Sequence, residues 1–228
     1  MRLPKVFLLI PLLLGATLPE WVLPPPPVVE VFKSVYAVYP VLYDPIKSPT
    51  LKEGHSLVSP YAGTGFLVEG YLITAAHVIL PISGDKRAVS KNGDLYIEGR
   101  RPFIKDRLDE ASDVAAFPTV GYNLGKALYL QVKPPEKQEL VWWICRGGFL
   151  ANEWSMGRYL DEIPPHKEYK YPTYFINPIV GGIHSGCSGS PIFNAQGEVI
   201  GLVSATNDAG SILNAIVIRA AEIQALLK

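Results

Sequence analysis

The chain has 228 residues, and its 21 lysines and arginines are balanced by 21 aspartates and glutamates, so its formal net charge is zero. This balance argues against a basic nucleic-acid-binding surface or an acidic interaction tail, and no nucleic-acid partner is expected. With 48 % hydrophobic residues, the chain is long enough to build the core of one large domain or of two small ones.

The N-terminus has the features of a targeting segment. Arg2 and Lys5 give a basic start, residues 6–14 form an apolar run, and residues 15–17 supply small side chains for cleavage. The apolar run is short for a membrane span. The sequence therefore predicts a signal peptide and an exported protein, periplasmic or extracellular. Two alternatives stay open: an uncleaved anchor, which would be the chain's membrane contact, and a buried apolar strand.

Residues 24–27 are four consecutive prolines. A polyproline run is extended and semi-rigid, so it predicts a spacer between the targeting segment and the folded part of the chain. The same prolines could instead form an edge that stops strand pairing. In either case residues 1–27 are assigned to the N-terminal segment and its spacer.

Beyond the prolines, apolar runs of strand length alternate with turn signals such as Glu69-Gly70 and residues 194–197 (Asn-Ala-Gln-Gly). Many short strands with such turns predict an all-β barrel or sandwich. Residues 219–228 differ, because their apolar side chains recur at helical spacing and predict a short C-terminal helix. The predicted strands cover residues 28–38, 65–68, 71–75, 94–98, 114–117, 128–132, 140–145, 173–176, 191–193, 199–205 and 212–218.

His77 and Asp113 are candidates for a base and its orienting carboxylate. His77 follows a strand and two alanines, whose small side chains leave room for a cleft. An imidazole can accept a proton and return it at neutral pH. Asp113 leads directly into the apolar strand 114–117, whereas its competitors Asp106 and Asp109 stand earlier and fit solvated loop charges.

Ser188 is the candidate nucleophile. It lies between Gly186-Cys187 and Gly189, on a predicted tight turn where backbone N–H groups can approach a substrate carbonyl. Ser190 is the alternative two residues later, and an ordinary turn serine is the non-catalytic interpretation. The order His, Asp, Ser is one of three in which the catalytic triad recurs on unrelated folds.

Five motifs together resemble the trypsin-like, or chymotrypsin-fold, serine proteases, and the pattern is nearest to the bacterial HtrA/Deg and glutamyl-endopeptidase branches. The motifs are residues 63–67 (Gly-Thr-Gly-Phe-Leu), 73–78 (Ile-Thr-Ala-Ala-His-Val), 113–115 (Asp-Val-Ala), 186–191 (Gly-Cys-Ser-Gly-Ser-Pro) and 199–204 (Val-Ile-Gly-Leu-Val-Ser). The resemblance implies a serine endopeptidase acting on proteins or peptides through an acyl-enzyme.

The resemblance also implies two six-stranded antiparallel β-barrels with the active site in the cleft between them. The first barrel is expected at residues 28–120, the crossover at 121–130, and the second barrel with the C-terminal helix at 131–228. HtrA-type proteins usually carry a PDZ domain after this helix, and none is expected here.

In this family the backbone N–H groups of Gly186 and Ser188 would form the oxyanion hole. Cys187 departs from zymogen-activated relatives, which have an aspartate that pairs with a new N-terminal amine. Activation by that ion pair is therefore not expected. In the family the strand end at Cys145 lies near the turn before the nucleophile, so a Cys145–Cys187 disulfide is expected, with two buried free thiols as the alternative.

The resemblance places Gly182, Ser204, Thr206 and Asn214 in the substrate-binding pocket. No acidic residue is positioned there to bind lysine or arginine, so a small or medium uncharged substrate side chain is expected before the scissile bond. His184 lies nearby, either as a residue of the pocket rim or as a group that recognises an acidic side chain.

No metal or cofactor is expected, because the histidines and cysteines do not fall at zinc-ligand spacings. Two other functions stay open. One is a catalytically idle binding module on the same fold, and the other is an esterase that uses Ser188. The chain lacks the Gly-x-Ser-x-Gly elbow of the common hydrolase fold, which argues against the esterase.

Overall fold

A computed structural model describes residues 23–43, 57–58, 63–80, 88–89, 94–97, 103–147, 154–165, 167, 169–208 and 213–228. The predicted targeting segment lies outside these residues. Within the described part of the chain, no helix is long and apolar enough to cross a membrane.

Strands dominate the described residues. Strands β1–β8 are Val35–Tyr43, Leu57–Val58, Gly63–Val68, Tyr71–Ala75, Ala88–Val89, Leu95–Tyr96, Arg107–Asp109 and Val114–Pro118. Strands β9–β14 are Leu140–Ile144, Trp154–Ile163, Thr173–Val180, Pro191–Phe193, Val199–Asp208 and Leu213–Arg219. Two short α-helices, α1 at Pro26–Val31 and α2 at Ala220–Leu227, lie at the two ends.

The first eight strands form one antiparallel sheet. Its main path runs β2-β1-β3-β4-β8-β7, and β5 and β6 each pair with β1 outside that path. β3 and β4 form the predicted hairpin, in which Glu69 (φ 47°) and Gly70 (φ 85°) both adopt the left-handed conformation that a two-residue turn requires. This sheet brings the end of β4 beside the start of β8, where Ala75 pairs with Val114.

The last six strands close into a barrel in the order β10-β11-β14-β13-β12-β9. Trp143, Tyr174 and Ile192 fill its interior. A second cluster joins the two halves, because Phe66 of β3 and Phe193 of β12 belong to the same buried core. The all-β fold with a short C-terminal helix is thus confirmed. Of the two predicted six-stranded barrels the second is closed, whereas the first is a half-barrel whose main path has six described strands. The domain limits at 28–120 and 131–228 stay predictions.

One predicted strand is wrong, a second is wrong in its first part, and four strands were missed. Residues 28–34 are helical, because Pro25–Pro27 start a helix in which the Val28 N–H donates to Pro25 O at 2.9 Å. Pro26 and Pro27 are therefore not an extended spacer. Residues 128–132 make only one parallel bridge, from Leu130 to Val199. The ten-residue strand β10 and the short strands β2, β5 and β7 were not predicted.

Candidate active site

His77 and Asp113 are brought together by the pairing of β4 with β8. A 3₁₀ turn at Ala76–Val78 carries His77 directly after β4, and Asp113 stands immediately before β8. Asp113 adopts a left-handed backbone conformation with φ 56°. Such a φ is uncommon outside glycine, asparagine and aspartate, and residues held in it cluster at functional sites.

The Asp113 carboxylate binds both the backbone and the ring of His77. Its Oδ1 accepts the backbone N–H of His77 at 2.8 Å, and its Oδ2 lies 2.8 Å from His77 Nδ1. A carboxylate only accepts, so Nδ1 carries the proton in this contact and Nε2 is left to accept another. The His77 side chain is 46 % exposed, against 13 % for Asp113, so the imidazole is the accessible member of the pair.

The competing aspartates bind elsewhere. Asp106 accepts from the Tyr71 hydroxyl at 3.3 Å and stands 50 % exposed beside Arg107. Asp109 caps its own turn by accepting from the Ala111 N–H at 3.0 Å and from a serine hydroxyl at 2.8 Å. Neither is paired with His77 among the described residues.

Ser204 and Tyr169 extend the hydrogen bonding around Asp113. The Ser204 hydroxyl donates its only proton to Asp113 Oδ2 through a short contact. Tyr169 OH lies 3.1 Å from Ser204 Oγ and must donate to it, because the Ser204 proton is already used. The sequence assigned Ser204 to substrate binding, which stays a prediction; in the structure its hydroxyl binds Asp113.

The loop that carries Tyr169 also touches the turn before Asp113. The backbone N–H of Lys170 donates to Ala111 O at 3.3 Å, and Tyr169 is only 9 % exposed. No sequence signal identified Tyr169, because it lies in a short tyrosine- and lysine-rich stretch without a motif.

Ser188 lies on a tight turn packed against the end of β4. Gly189 has φ 85°, and a Cβ there would stand 2.1 Å from Thr64 O and 2.9 Å from the Ala75 N–H nitrogen. Only glycine fits at this position. The turn therefore packs against Ala75, which is two residues before His77 in the chain. Among the described residues no hydrogen bond joins Ser188 Oγ to His77; such contacts are often long in unliganded sites.

Ser190, the alternative nucleophile, is fully buried and its hydroxyl has no hydrogen-bond partner in the described structure. Ser188 is half-buried and therefore reachable by a substrate. The difference favours Ser188.

Two backbone N–H groups of the turn, those of Gly186 and Ser188, donate to no acceptor among the described residues. The next N–H groups along the turn do find acceptors: Cys187 donates to His184 O at 3.0 Å, Gly189 to Val203 O at 2.7 Å, and Ser190 to Cys187 O at 2.8 Å. Free donors beside a candidate nucleophile are what an oxyanion hole requires.

Cys145 and Cys187 form a disulfide with their Cα atoms 4.6 Å apart. It joins the end of β9 to the residue before Ser188, and the chain-entropy model values a loop of this sequence separation, 42, at roughly 4 kcal/mol. His184 lies beside these sulfurs, and its N–H donates to Cys187 Sγ at 3.4 Å. Because the two sulfurs are bonded to each other, the cluster of Cys145, His184 and Cys187 offers no thiolate to a metal ion.

The remaining predicted substrate-binding residues differ in their surroundings. A Cβ on Gly182 would meet nothing within 4 Å, so open space lies beside it. Thr206 is exposed. Asn214 is 7 % exposed, and its buried Oδ1 has no hydrogen-bond partner among the described residues.

A family model for the trypsin-like peptidase domain matches residues 63–202, more than half of the chain and the stretch that holds His77, Asp113 and Ser188. The chain therefore belongs to the trypsin-like peptidase family, as the motifs predicted.

Among solved structures, the chain is similar to Rv3671c of Mycobacterium tuberculosis. A serine-to-alanine mutant in the inactive form has a TM-score of 0.63 and 19 % identity, covering 93 % of each chain. The active form of that protease has a TM-score of 0.61 and 23 % identity, covering 89 % of this chain and 82 % of that one. At these identities the likeness shows the shared fold. No curated protein sequence matches the chain.

Proposed function

We propose that this trypsin-like peptidase is a serine endopeptidase with Ser188 as nucleophile, His77 as base and Asp113 as orienting carboxylate. The observation that supports it most is the 2.8 Å contact between His77 Nδ1 and Asp113 Oδ2. This contact fixes the ring so that Nε2 can accept the proton of a serine.

Catalysis begins when Ser188 Oγ attacks the carbonyl carbon of the scissile peptide bond and its proton passes to His77 Nε2. The carbonyl electron pair moves onto oxygen, where the Gly186 and Ser188 N–H groups stabilise the negative charge. When this electron pair returns, the C–N bond breaks and the imidazolium gives its proton to the leaving amine. Asp113 stabilises the imidazolium throughout.

The acyl-enzyme is then hydrolysed by water. His77 takes a proton from the water, the resulting hydroxide adds to the acyl carbon, and the Ser188–acyl bond breaks with return of the proton to Ser188 Oγ. All bonding changes occur among Ser188, His77, the substrate and water, so no cofactor takes part in the proposal.

Specificity is proposed to lie at Gly182, Thr206 and Asn214. The space beside Gly182 and the buried, uncharged Asn214 suit a small or medium uncharged side chain before the scissile bond. The protein is proposed to act after export, where a disulfide such as Cys145–Cys187 persists.

The test is incubation of the full chain with unfolded protein and with a peptide library, followed by mass spectrometry of the fragments. An endopeptidase produces new internal termini, with small uncharged residues enriched before each cut. Hydrolysis of activated esters without any peptide cleavage would favour the esterase instead, and neither reaction would favour the idle binding module.

Replacement of Tyr169 by phenylalanine tests the hydrogen bonds behind Asp113. It removes the donor to Ser204 Oγ and leaves the ring in place. Because one intramolecular hydrogen bond contributes about 0.5–1.5 kcal/mol, we expect kcat to fall roughly 2- to 10-fold with KM unchanged. Steady-state kinetics on a cleaved peptide measures both constants.

The matched control is Tyr171→Phe, two residues away, where the ring of Tyr171 lies beside the Lys170 ammonium at 5.4 Å. We expect this variant to keep the wild-type kcat. Equal losses in the two variants would mean that the loop, and not the Tyr169 hydroxyl, carries the effect.

A further inference from the structure

Thr64 binds the Ser188 turn on both sides of Cys187. Its backbone N–H donates to Ser188 O at 2.8 Å, and its hydroxyl donates to Gly186 O at 2.8 Å. Thr64 is fully buried in β3, so neither bond competes with water. The carbonyls of Gly186 and Ser188 therefore point toward Thr64, while the N–H groups of the same two residues stay free of protein acceptors among the described residues.

The Thr64 hydroxyl also receives two hydrogen bonds. The backbone N–H of Arg146 donates to Thr64 Oγ1 at 2.9 Å, and that of Gly147 at 3.3 Å. One hydroxyl thus joins the segment after Cys145 to the residue before Cys187. The disulfide joins the same two segments covalently, so the hydroxyl and the disulfide act in parallel.

Arg146 connects the hydrogen bonds around Thr64 to the N-terminal helical segment. Its Nη2 donates to Phe32 O at 2.9 Å. Burial lowers the pKa of the Arg146 guanidinium, because desolvation disfavours the charged form. A partly buried cation of this kind needs hydrogen-bond acceptors around it. The Arg146–Gly147 segment, whose N–H groups donate to Thr64 Oγ1, is therefore held both by Thr64 and by Phe32.

Gly186 needs such a restraint. It has φ 99° and no side chain, so its two flanking peptide groups can rotate more freely than at any other residue type. The direction of its carbonyl and the direction of its N–H are linked through one φ and one ψ. Once Thr64 fixes the carbonyl and the disulfide fixes Cys187, the N–H of Gly186 has little freedom left.

We propose that Thr64 is a positioning residue for the oxyanion hole, whose hydroxyl orients the Gly186 N–H by holding the Gly186 carbonyl. The proposal rests on the function proposed above. Cys187 has no carboxylate with which to form an activation ion pair, and the two hydrogen bonds of Thr64 restrain the turn around it. It touches no substrate and acts only through the backbone of the turn.

The test compares Thr64→Val with Thr64→Ser. Valine keeps the shape and removes the hydroxyl, leaving Gly186 O and the Arg146 N–H without this partner. Since removal of one oxyanion donor costs about 10²–10³ in rate, we expect misorientation to lower kcat by about 10- to 100-fold, with KM unchanged. Serine keeps the hydroxyl and its hydrogen bond to Gly186 O, so this variant should keep kcat within about threefold of the wild type.

A peptide boronate separates positioning from a merely structural role, because its tetrahedral adduct with Ser188 places an oxygen in the oxyanion hole. Its affinity should fall in Thr64→Val by the same factor as kcat, and a peptide in which a CH₂ group replaces the scissile carbonyl should bind unchanged. The matched control is Thr173→Val, which removes a buried threonine hydroxyl without a hydrogen-bond partner among the described residues. This control should leave both affinities unchanged.

The outcomes distinguish the two proposals. Wild-type kcat and boronate affinity in Thr64→Val would overturn the role of Thr64 while the proposed protease stands. A wild-type chain that neither cleaves peptides nor binds the boronate would overturn both. If Thr64→Val shows no cooperative thermal unfolding transition, Thr64→Ser decides: retained boronate affinity supports the role of the hydroxyl, and a loss above about tenfold contradicts it.

Discussion

Replacement of Ser188 by alanine should reduce peptide hydrolysis by about 10⁴- to 10⁶-fold while leaving the protein folded. The hydroxyl carries the covalent step, and its removal leaves only substrate binding and the oxyanion N–H groups to promote attack by water. Ser188 is half-buried and its hydroxyl makes no protein hydrogen bond among the described residues, so little stability is lost with it.

The measurement is kcat/KM on a cleaved peptide, together with the thermal unfolding midpoint. Ser190→Ala is the matched control, since it removes a buried serine hydroxyl that has no partner in the described structure. It should leave kcat/KM within about twofold and should not lower stability. A large loss in Ser190→Ala together with retained activity in Ser188→Ala would reverse the assignment of the nucleophile.

The effect of His77→Ala should not add to that of Ser188→Ala. The base has no proton to remove once the hydroxyl is absent, so the double variant should be about as slow as either single one. Additive losses would mean that the two side chains serve different steps.

Replacement of Asp113 by asparagine should lower kcat by about 10⁴-fold with little change in KM. Asparagine keeps the shape of the side chain but offers an NH₂ group where Oδ2 now accepts from His77 Nδ1. An NH₂ group facing Nδ1 favours the tautomer protonated on Nε2, and that nitrogen then cannot accept the proton of Ser188.

Asp106→Asn is the control for this prediction. Asp106 is an exposed carboxylate that binds Tyr71 and stands beside Arg107, with no contact to His77 among the described residues. Steady-state kinetics should give a kcat within about twofold of the wild type. A greater loss in Asp106→Asn than in Asp113→Asn would show that the wrong carboxylate was assigned.

Strand periodicity predicted an all-β fold, and the resemblance carried by the motifs implied its division into two halves. Alternating apolar runs and the Glu69-Gly70 turn identified the β3–β4 hairpin, and helical spacing identified α2. Strand periodicity failed where neighbouring residues favour a helix. Residues 28–34 have the valines and phenylalanine of a strand, yet the prolines before them start a helix that buries Val28 against the core.

The site was predictable only in part, for a physical reason. His77, Asp113 and Ser188 stand in motifs, because their chemistry restricts the residues next to them along the chain. The roles proposed for Thr64 and Tyr169 depend on contacts between segments that are distant in sequence, such as the hydrogen bond from Thr64 to Gly186, 122 positions away. No local pattern reveals such a contact, although the flanking Gly63 and Gly65 mark Thr64 as a place of close packing.

The central claim, that Ser188 is a nucleophile activated by His77, is tested most directly by labelling the full chain with a fluorophosphonate and mapping the modified residue by mass spectrometry. We expect a single adduct on Ser188, formed rapidly in the wild type and in Ser190→Ala, and strongly slowed in His77→Ala. An adduct on Ser190, or no adduct on a chain that cleaves peptides, would contradict it.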